Sequence, residues 1–478
     1  MTCTVKLRAL AQLVVILALA GVALPALSPP LQAQSPSGWW PPRLIYETAD
    51  SIDAPYLAAD TNGVAHLVWR ESPRETDLDQ DKLQTIFYAN NEGGTWSQGR
   101  DIIAMSGVAG PTAAADPNGI IQLLWTGPNN TLYHSLAGVQ SAGTAQGWVE
   151  PVAIATANAN AHIQIAPDNN AHIVYPGTGP SGVYYIRYDA GRDAWSSPVG
   201  ISLTSGANTS ADYARLAIAP DGMLHVVWTE FELPQGWPPT GVYYAHSTDN
   251  GVTWSRPVEL AGQNNVQANV VVDSAGRVHV AWNGIVGIGG RYHRWSDDGG
   301  LNWSATGAAV EAGLGGTEGQ PQLAVDSAGT LHMLTTYGGC AHHVTWTDEV
   351  WSAPECISGQ VAAGDALIEQ PALTIVNGNV LHAIFWDERA RLWHTSLATG
   401  APPAAAQPSA AATAAPAGAP AVASPSPVVA SSPTVDLASL PPADVSISQT
   451  PARTLLLAAG SAVVLLLLAL MIKVWRSR

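Results

Sequence analysis

Ala214 to Trp228 reads ARLAIAPDGMLHVVW; after TEFELPQGWPPT (Thr229 to Thr240) the chain continues GVYYAHS (Gly241 to Ser247) and STDNGVTW (Ser247 to Trp254), then Ser255-Arg256-Pro257. Apolar residues alternate on both sides of Asp221-Gly222, which is what two strands of a half-buried antiparallel hairpin require. The phrase recurs about every 50 residues, the period of a propeller blade. Its other copies are PYLAADTNGVAHLVW from Pro55, PTAAADPNGIIQLLW from Pro111, HIQIAPDNNAHIVY from His162, ANVVVDSAGRVHVAW from Ala268, PQLAVDSAGTLHMLT from Pro321 and PALTIVNGNVLHAIFW from Pro371. Seven hairpins predict seven blades.

The second half of each copy is a strand, a tight turn and a last strand opened by Trp. Six such openings follow a hairpin, at Trp96, Trp148, Trp195, Trp254, Trp303 and Trp351. The seventh copy ends at LWHTSL (Leu392 to Leu397) without one, while WWPPRLIYET (Trp39 to Thr48) stands unused ahead of the first hairpin. The N-terminal strand is therefore expected to complete the last blade, closing the ring and removing its open edge. The expected fold is all-β, a seven-bladed β-propeller over residues 39–397.

Ser247 to Trp254 and SDDGGLNW (Ser296 to Trp303) share the pattern Ser-x-Asp-x-Gly-x-(Thr/Asn)-Trp, with a decayed copy, ANNEGGTW, from Ala89 to Trp96. The pattern resembles the Asp-box of sialidases and other BNR-repeat β-propellers. Its chemistry suits a turn. Asp249 and Asp298 can accept hydrogen bonds from the loop's own N–H groups, Gly251 and Gly300 can take positive φ, and Trp254 and Trp303 fill space between sheets, with Ser247 and Ser296 opening each turn. The resemblance also implies a sialidase site: three arginines for a substrate carboxylate, a Tyr/Glu nucleophile pair, an Asp acid and a Phe/Tyr-Arg-Ile-Pro motif. That motif is missing. The nearest string, Pro42-Arg43-Leu44-Ile45, aligns with the last-strand pattern and makes Arg43 an outer-strand residue. Sialidases of known structure also have six blades, not seven.

Phase assigns faces. With strands A to D numbered outward from the channel, A-B and C-D turns share one face, and B-C and blade-to-blade loops share the other. The long segments Arg70 to Thr85, Leu203 to Asp212, Thr229 to Thr240 and Ile357 to Gln370 fall on the second face, where function on a rigid scaffold is expected. Topology puts Arg70, Glu71, Asp212, Arg215, Glu230, Asp387, Glu388 and Arg389 near the channel mouth there, with Trp237 and Tyr337 as stacking surfaces. A carboxylate pair such as Glu71 and Glu230 suits acid/base work on a glycoside, against the plainer reading of solvated loop ends.

The 13 histidines divide by repeat position. His66, His172, His225, His279, His332 and His382 recur in the hairpin, and His134, His246, His293, His343 and His394 near the third strand; residues repeated around a ring read as scaffold before metal ligands. Asp77, Asp79 and Asp81 resemble the opening of a calcium loop but lack its glycine and final glutamate, so a solvated loop is favoured over calcium and no cofactor is expected. Cys340 and Cys356 are a candidate disulfide: with a turn at Thr347 to Val350, facing residues sum to about 697, placing Cys340 within one residue of the position opposite Cys356.

The ends set the compartment. Residues 1–33 carry Lys6 and Arg8 ahead of an apolar run and read as a secretory signal. Residues 398–453 are rich in Ala, Pro and Ser and unable to bury a core, a stalk with an extended reach on the order of 150 Å. Residues 454–472 are uncharged and match the roughly 30 Å of a bilayer core. The basic tail 473–478, KVWRSR, is expected to stay cytoplasmic and leave the N-terminal domain extracellular on a single-pass anchor. A net charge of −17 argues against nucleic acid. The chain thus reads as a membrane-anchored extracellular module binding a glycan, peptide or protein; the alternatives are a sialidase-like surface glycoside hydrolase with a divergent site, or a structural part of an envelope assembly.

Overall fold

The computed structural model describes residues 38–404, except 75–82, 159, 179–181, 203–207, 286–288, 312–318, 360 and 362–367. The expected signal, anchor, most of the stalk and the calcium-like Asp77, Asp79 and Asp81 lie outside the described residues. Among the described residues no helix is long and apolar enough to cross a membrane, and no group of three His, Cys, Asp or Glu side chains is placed to hold a metal ion.

Seven antiparallel meanders form the ring. In blade 4 the strands are Thr209–Ile218, Leu224–Glu232, Pro239–Ser247 and Val258–Ala261, each paired with the next. The outer strand of blades 3 and 6 is split in two pieces. Blade 7 is built from Ile368–Val376, Val380–Asp387 and Arg391–Ala398, and Arg43–Glu47 pairs with the last of these as its outer strand. Arg43 sits opposite His394 in that ladder, an edge position far from the channel strands. Blade 4's inner hairpin runs further toward the long-loop face than its sequence suggests. Asp212 and Thr229 are already paired strand residues, so the loop between its second and third strands shrinks to Leu233 to Pro238.

One set of contacts joins every blade to the next. On its second strand each blade carries His66, Gln122, His172, His225, His279, His332 or His382, hydrogen-bonded at 2.7–3.2 Å to a third-strand ring, respectively Tyr88, His134, Tyr185, Tyr244, His293, His343 and His394. That ring meets the edge of the outer-strand Trp of the following blade. The pairs are Tyr88/Trp148, His134/Trp195, Tyr185/Trp254, Tyr244/Trp303, His293/Trp351, His343/Trp39 and His394/Trp96, with centroids 4.8–6.3 Å apart and planes crossing at 61–88°. Edge-to-face geometry of this kind adds to the area each Trp buries. His246 does not belong to this set: Tyr244 occupies the third-strand position in blade 4, and His246 lies two residues further along the same strand.

The Asp-boxes serve the same junctions. Ser247 Oγ donates to Asp249 at 2.8 Å and accepts from Gly251 N at 2.9 Å, while Asp249 accepts from Thr253 N at 2.8 Å. Ser296, Asp298, Gly300 and Asn302 repeat this network, and the hydrogen bonds from Asn302 hold the Asp298 carboxyl down at about 2. Gly251 has φ 84°, and a Cβ there would come within 2.1 Å of Tyr185 in the preceding blade. Only glycine satisfies both the conformation and the approach.

Cys340 and Cys356 are bonded, with Cα atoms 5.9 Å apart. The register differs from the expected sum. Trp346 faces Trp351, but His342 faces Cys356, so a one-residue shift leaves Cys340 two residues from the facing position and the bridge runs diagonally.

Two outcomes follow. Trp39 is 1% exposed and donates its indole N–H to His343 at 3.2 Å, so Trp39→Ala should cost about 3–5 kcal/mol and lower Tm by several degrees; a Tm equal to wild type in a melt would show that the N-terminal strand does not close the ring. Burial holds His134, His172, His225, His279 and His382 down at about 4 and His343 and His394 at about 3, against 6.5 when unfolded. Between these limits the unfolded chain binds more protons, so stability should fall as pH drops from about 6.5 to 4; urea midpoints measured across that range test the slope, and a flat profile would contradict it.

Candidate functional site

The channel strands enter from the long-loop face through a distorted first turn. Ala54, Gly110, Asn160, Tyr213, Gln267 and Gln370 hold the same repeat position in blades 1, 2, 3, 4, 5 and 7, and all have positive φ, between 35° and 70°. In blade 6 the left-handed residue is Gly319, one position earlier. A β-bulge accompanies the distortion wherever the ladder extends that far, as at Asp53/Tyr56 and Asp212/Arg215. Five of these residues have a side chain, and a bulky residue such as Tyr213 in this region is a true outlier that its surroundings must enforce. Asp212 contributes by accepting hydrogen bonds from Tyr213 N at 2.7 Å and Asn160 Nδ2 at 3.1 Å; burial pushes its carboxyl upward.

These entries rim a mouth cavity of about 120 Å³, lined among others by Asn160, Tyr213, Gln267, Gln320 and Gln370. Below it the channel widens to about 300 Å³ between the inner strands. Tyr56, Arg215 and Gln322 line both spaces and so form the neck between them. Thr112 Oγ1 and Gln320 Oε1 in the rim are buried without a hydrogen-bond partner among the described residues.

The sequence candidates scatter. Arg215 is in the neck, as topology requires. Arg70 is tied to Asp53 by an ion pair and to Val108 O at 2.9 Å. Glu71, 5% exposed, accepts the indole N–H of Trp69 at 3.0 Å, and Glu230 accepts that of Trp228 at 3.0 Å and the hydroxyl of Ser202 at 2.9 Å. Both carboxylates thus turn toward the Trp two residues earlier in their own strand, and neither lines the mouth or the channel. Asp387 is fully buried beneath Arg391 and Trp393, which donate to it at 2.6–3.1 Å. Arg389 and Glu388 are exposed at the turn beyond it. Tyr337 stacks on His342 at 3.8 Å, and Trp237, 49% exposed, stands on the loop between the second and third strands of blade 4. Among the described residues Arg215 is the one arginine lining the mouth or the channel, so no three-arginine cluster forms there.

The ring of amides is not legible in the sequence because nothing in Gln267 or Gln370 announces a left-handed backbone. Gly110, Gly319 and Asn160 carry a compositional hint, since glycine and asparagine favour that region. On the opposite face the last described residues pack across the A-B turns, with Ala404 N donating to Asn377 O at 2.7 Å and Ser327 Oγ to Pro402 O. The described chain therefore ends on the face away from the mouth.

Residues 177–393 match the family model described as BNR repeat-like domain. A comparison with curated proteins finds no match. Among solved structures, the BP39L lectin from Burkholderia pseudomallei aligns with TM-score 0.54 and 13% identity over 75% of this chain and 98% of the lectin. A polysaccharide lyase of family PL25, an ulvan lyase bound to -[GlcA(1-4)Rha3S]-, gives 0.53 and 11% over 74% and 95%. The Hadza microbial sialidase Hz136 gives 0.44 and 15% over 73% of this chain and 66% of its own. At such identities the likeness is one of fold. The seven-bladed ring, its Asp-box turns and the match over residues 177–393 together show a β-propeller that contains a BNR repeat-like domain.

Proposed function

We propose that the protein is a glycan-binding module whose ligand enters the channel mouth on the long-loop face. The observation that carries this reading is the left-handed ring. Each non-glycine residue held there costs about 1–3 kcal/mol, and strain concentrated at one opening marks a functional surface. What the opening presents is suited to a sugar: the amides of Asn160, Gln267, Gln320 and Gln370, whose partners Asp212, Asn283, Ala268 and Ala54 leave part of each amide's bonding capacity open, and the rings of Tyr56 and Tyr213. The mouth, about 120 Å³, is well below the roughly 300–1,000 Å³ of a drug-sized pocket, so a single ring of a chain fits and the remainder rests on the rim. Peptide and protein ligands, whose contacts need broader surfaces, have less support. The named lectin and ulvan lyase show that this fold carries glycan recognition in other proteins.

The hydrolase alternative draws less support, since Glu71 and Glu230 are engaged by indoles and Arg70 by Asp53. We place the module outside the cell, secreted by residues 1–33 and held by residues 454–472. The Cys340–Cys356 bond, which belongs to an oxidising compartment, supports that placement.

A glycan array with the full-length protein in detergent should return binders, and Asn160→Ala combined with Gln267→Ala should weaken them at least about tenfold. Asp249→Ala, in an Asp-box, should leave the affinity unchanged. Turnover of a fluorogenic sialoside above background, or an affinity insensitive to the mouth variant, would sink the proposal.

A further inference from the structure

The neck of the channel holds an arginine that makes no direct ion pair among the described residues, although the Asp212 carboxyl acts on it from beyond contact distance. The Arg215 guanidinium makes one hydrogen bond within the described residues, to its neighbour Ala214 O at 2.9 Å, and no carboxylate lies within ion-pair distance. Asp212, close in sequence, has its Oδ1 engaged by Tyr213 N and Asn160. Arg70, Arg277 and Arg391 each have an aspartate partner. Among the described residues no acidic side chain lines either the mouth or the channel, in a chain whose net charge is −17. A cation in a confined opening with no carboxylate in contact keeps its N–H groups available for an anion supplied from outside.

The groups beside Arg215 are oriented as donors too. His162 Nδ1 accepts the backbone N–H of Leu216 at 3.1 Å, which puts the ring proton on Nε2. Nε2 faces the Tyr56 oxygen at 3.1 Å, so the imidazole donates and the phenol accepts. The hydroxyl proton of Tyr56 is then left for the cavity. Burial keeps the imidazole neutral and the phenol protonated, which preserves this polarity at physiological pH. Tyr56 and Arg215 line the same neck, so their free N–H and O–H groups serve one small space.

We infer that the neck is an oxyanion seat, in which Arg215 and the Tyr56 hydroxyl hold the carboxylate or sulfate of an acidic sugar entering from the mouth. This rests on the glycan reading and adds a charge requirement to it. Guanidinium geometry matches the paired oxygens of either group. His162 is a positioning residue that fixes the direction of the Tyr56 hydroxyl.

The test is calorimetric titration of the full-length protein with three oligosaccharides of matched length: one neutral, one bearing a uronic acid and one sulfated. Wild type should bind one or both acidic forms at least about tenfold tighter than the neutral one. Arg215→Gln should abolish that preference while sparing the neutral affinity, and Arg215→Lys should restore part of it. Tyr56→Phe, which keeps the ring, should weaken acidic ligands alone and provides a second reading if Arg215→Gln does not fold. Equal binding of neutral and acidic forms by wild type, or an acidic preference that survives both Arg215→Gln and Tyr56→Phe, overturns the oxyanion seat and leaves the glycan reading standing. Binding of no oligosaccharide overturns the glycan reading instead. The seat is then judged by thermal shift with sodium sulfate and sodium acetate: stabilisation of wild type but not of Arg215→Gln supports it, and no difference between them overturns it.

Discussion

Everything in this propeller depends on the edge-on contact between the Trp that opens each outer strand and the imidazole or phenol on the third strand of the blade before it. A four-stranded meander alone has two faces to bury, and neighbouring blades supply the cover. The Trp is what locks one sheet to the next at a defined angle, and its partner ring is itself fixed by a hydrogen bond from the second strand. Single aromatic pairs of this type contribute about 0.5–1.5 kcal/mol beyond area burial. Their importance here lies in the circular arrangement. Seven junctions must close at once, and the junction between blades 6 and 7 is made by Trp39, from the other end of the sequence.

That ring divides the labour between its faces. On the A-B and C-D side, the Asp-box hydrogen bonds and glycines of blades 4 and 5 press their turns against the preceding blade, Gly251 against Tyr185 and Gly300 against Tyr244. This face is regular because it is part of the junction. The opposite face is free of that duty, and there the inner strands begin with left-handed residues that a less rigid frame would relax. Rigidity around the circumference is thus what permits strain at the centre, and the strain aims amides, phenols and Arg215 at a single opening.

The fold was legible because the chain repeats itself: alternation around Asp-Gly or Asn-Gly, the single-letter rhythm of His and Trp, and one Trp-Pro segment left over at Trp39 together specify seven closed blades. The proposed site is legible only in part. Arg215 is placed near the mouth by its position on an inner strand. Glu71 and Glu230 resembled catalytic carboxylates because the hydrogen bond to an indole two residues back leaves no mark except the recurrence of Trp-x-Glu in blades 1 and 4. The amide ring was invisible since Ala54, Tyr213 and Gln267 adopt a conformation that local propensity opposes and that only the tertiary ring imposes. His162 likewise carries its meaning in which nitrogen faces Leu216, a fact of packing and not of composition.

The most direct measurement is a crystal structure of the protein with an acidic oligosaccharide bound. The expected density places one sugar ring in the mouth among Asn160, Gln267 and Gln370, with its carboxylate or sulfate against Arg215 and Tyr56. A ligand seated on the Asp-box face, or one in the mouth whose charged group turns away from Arg215, would contradict it.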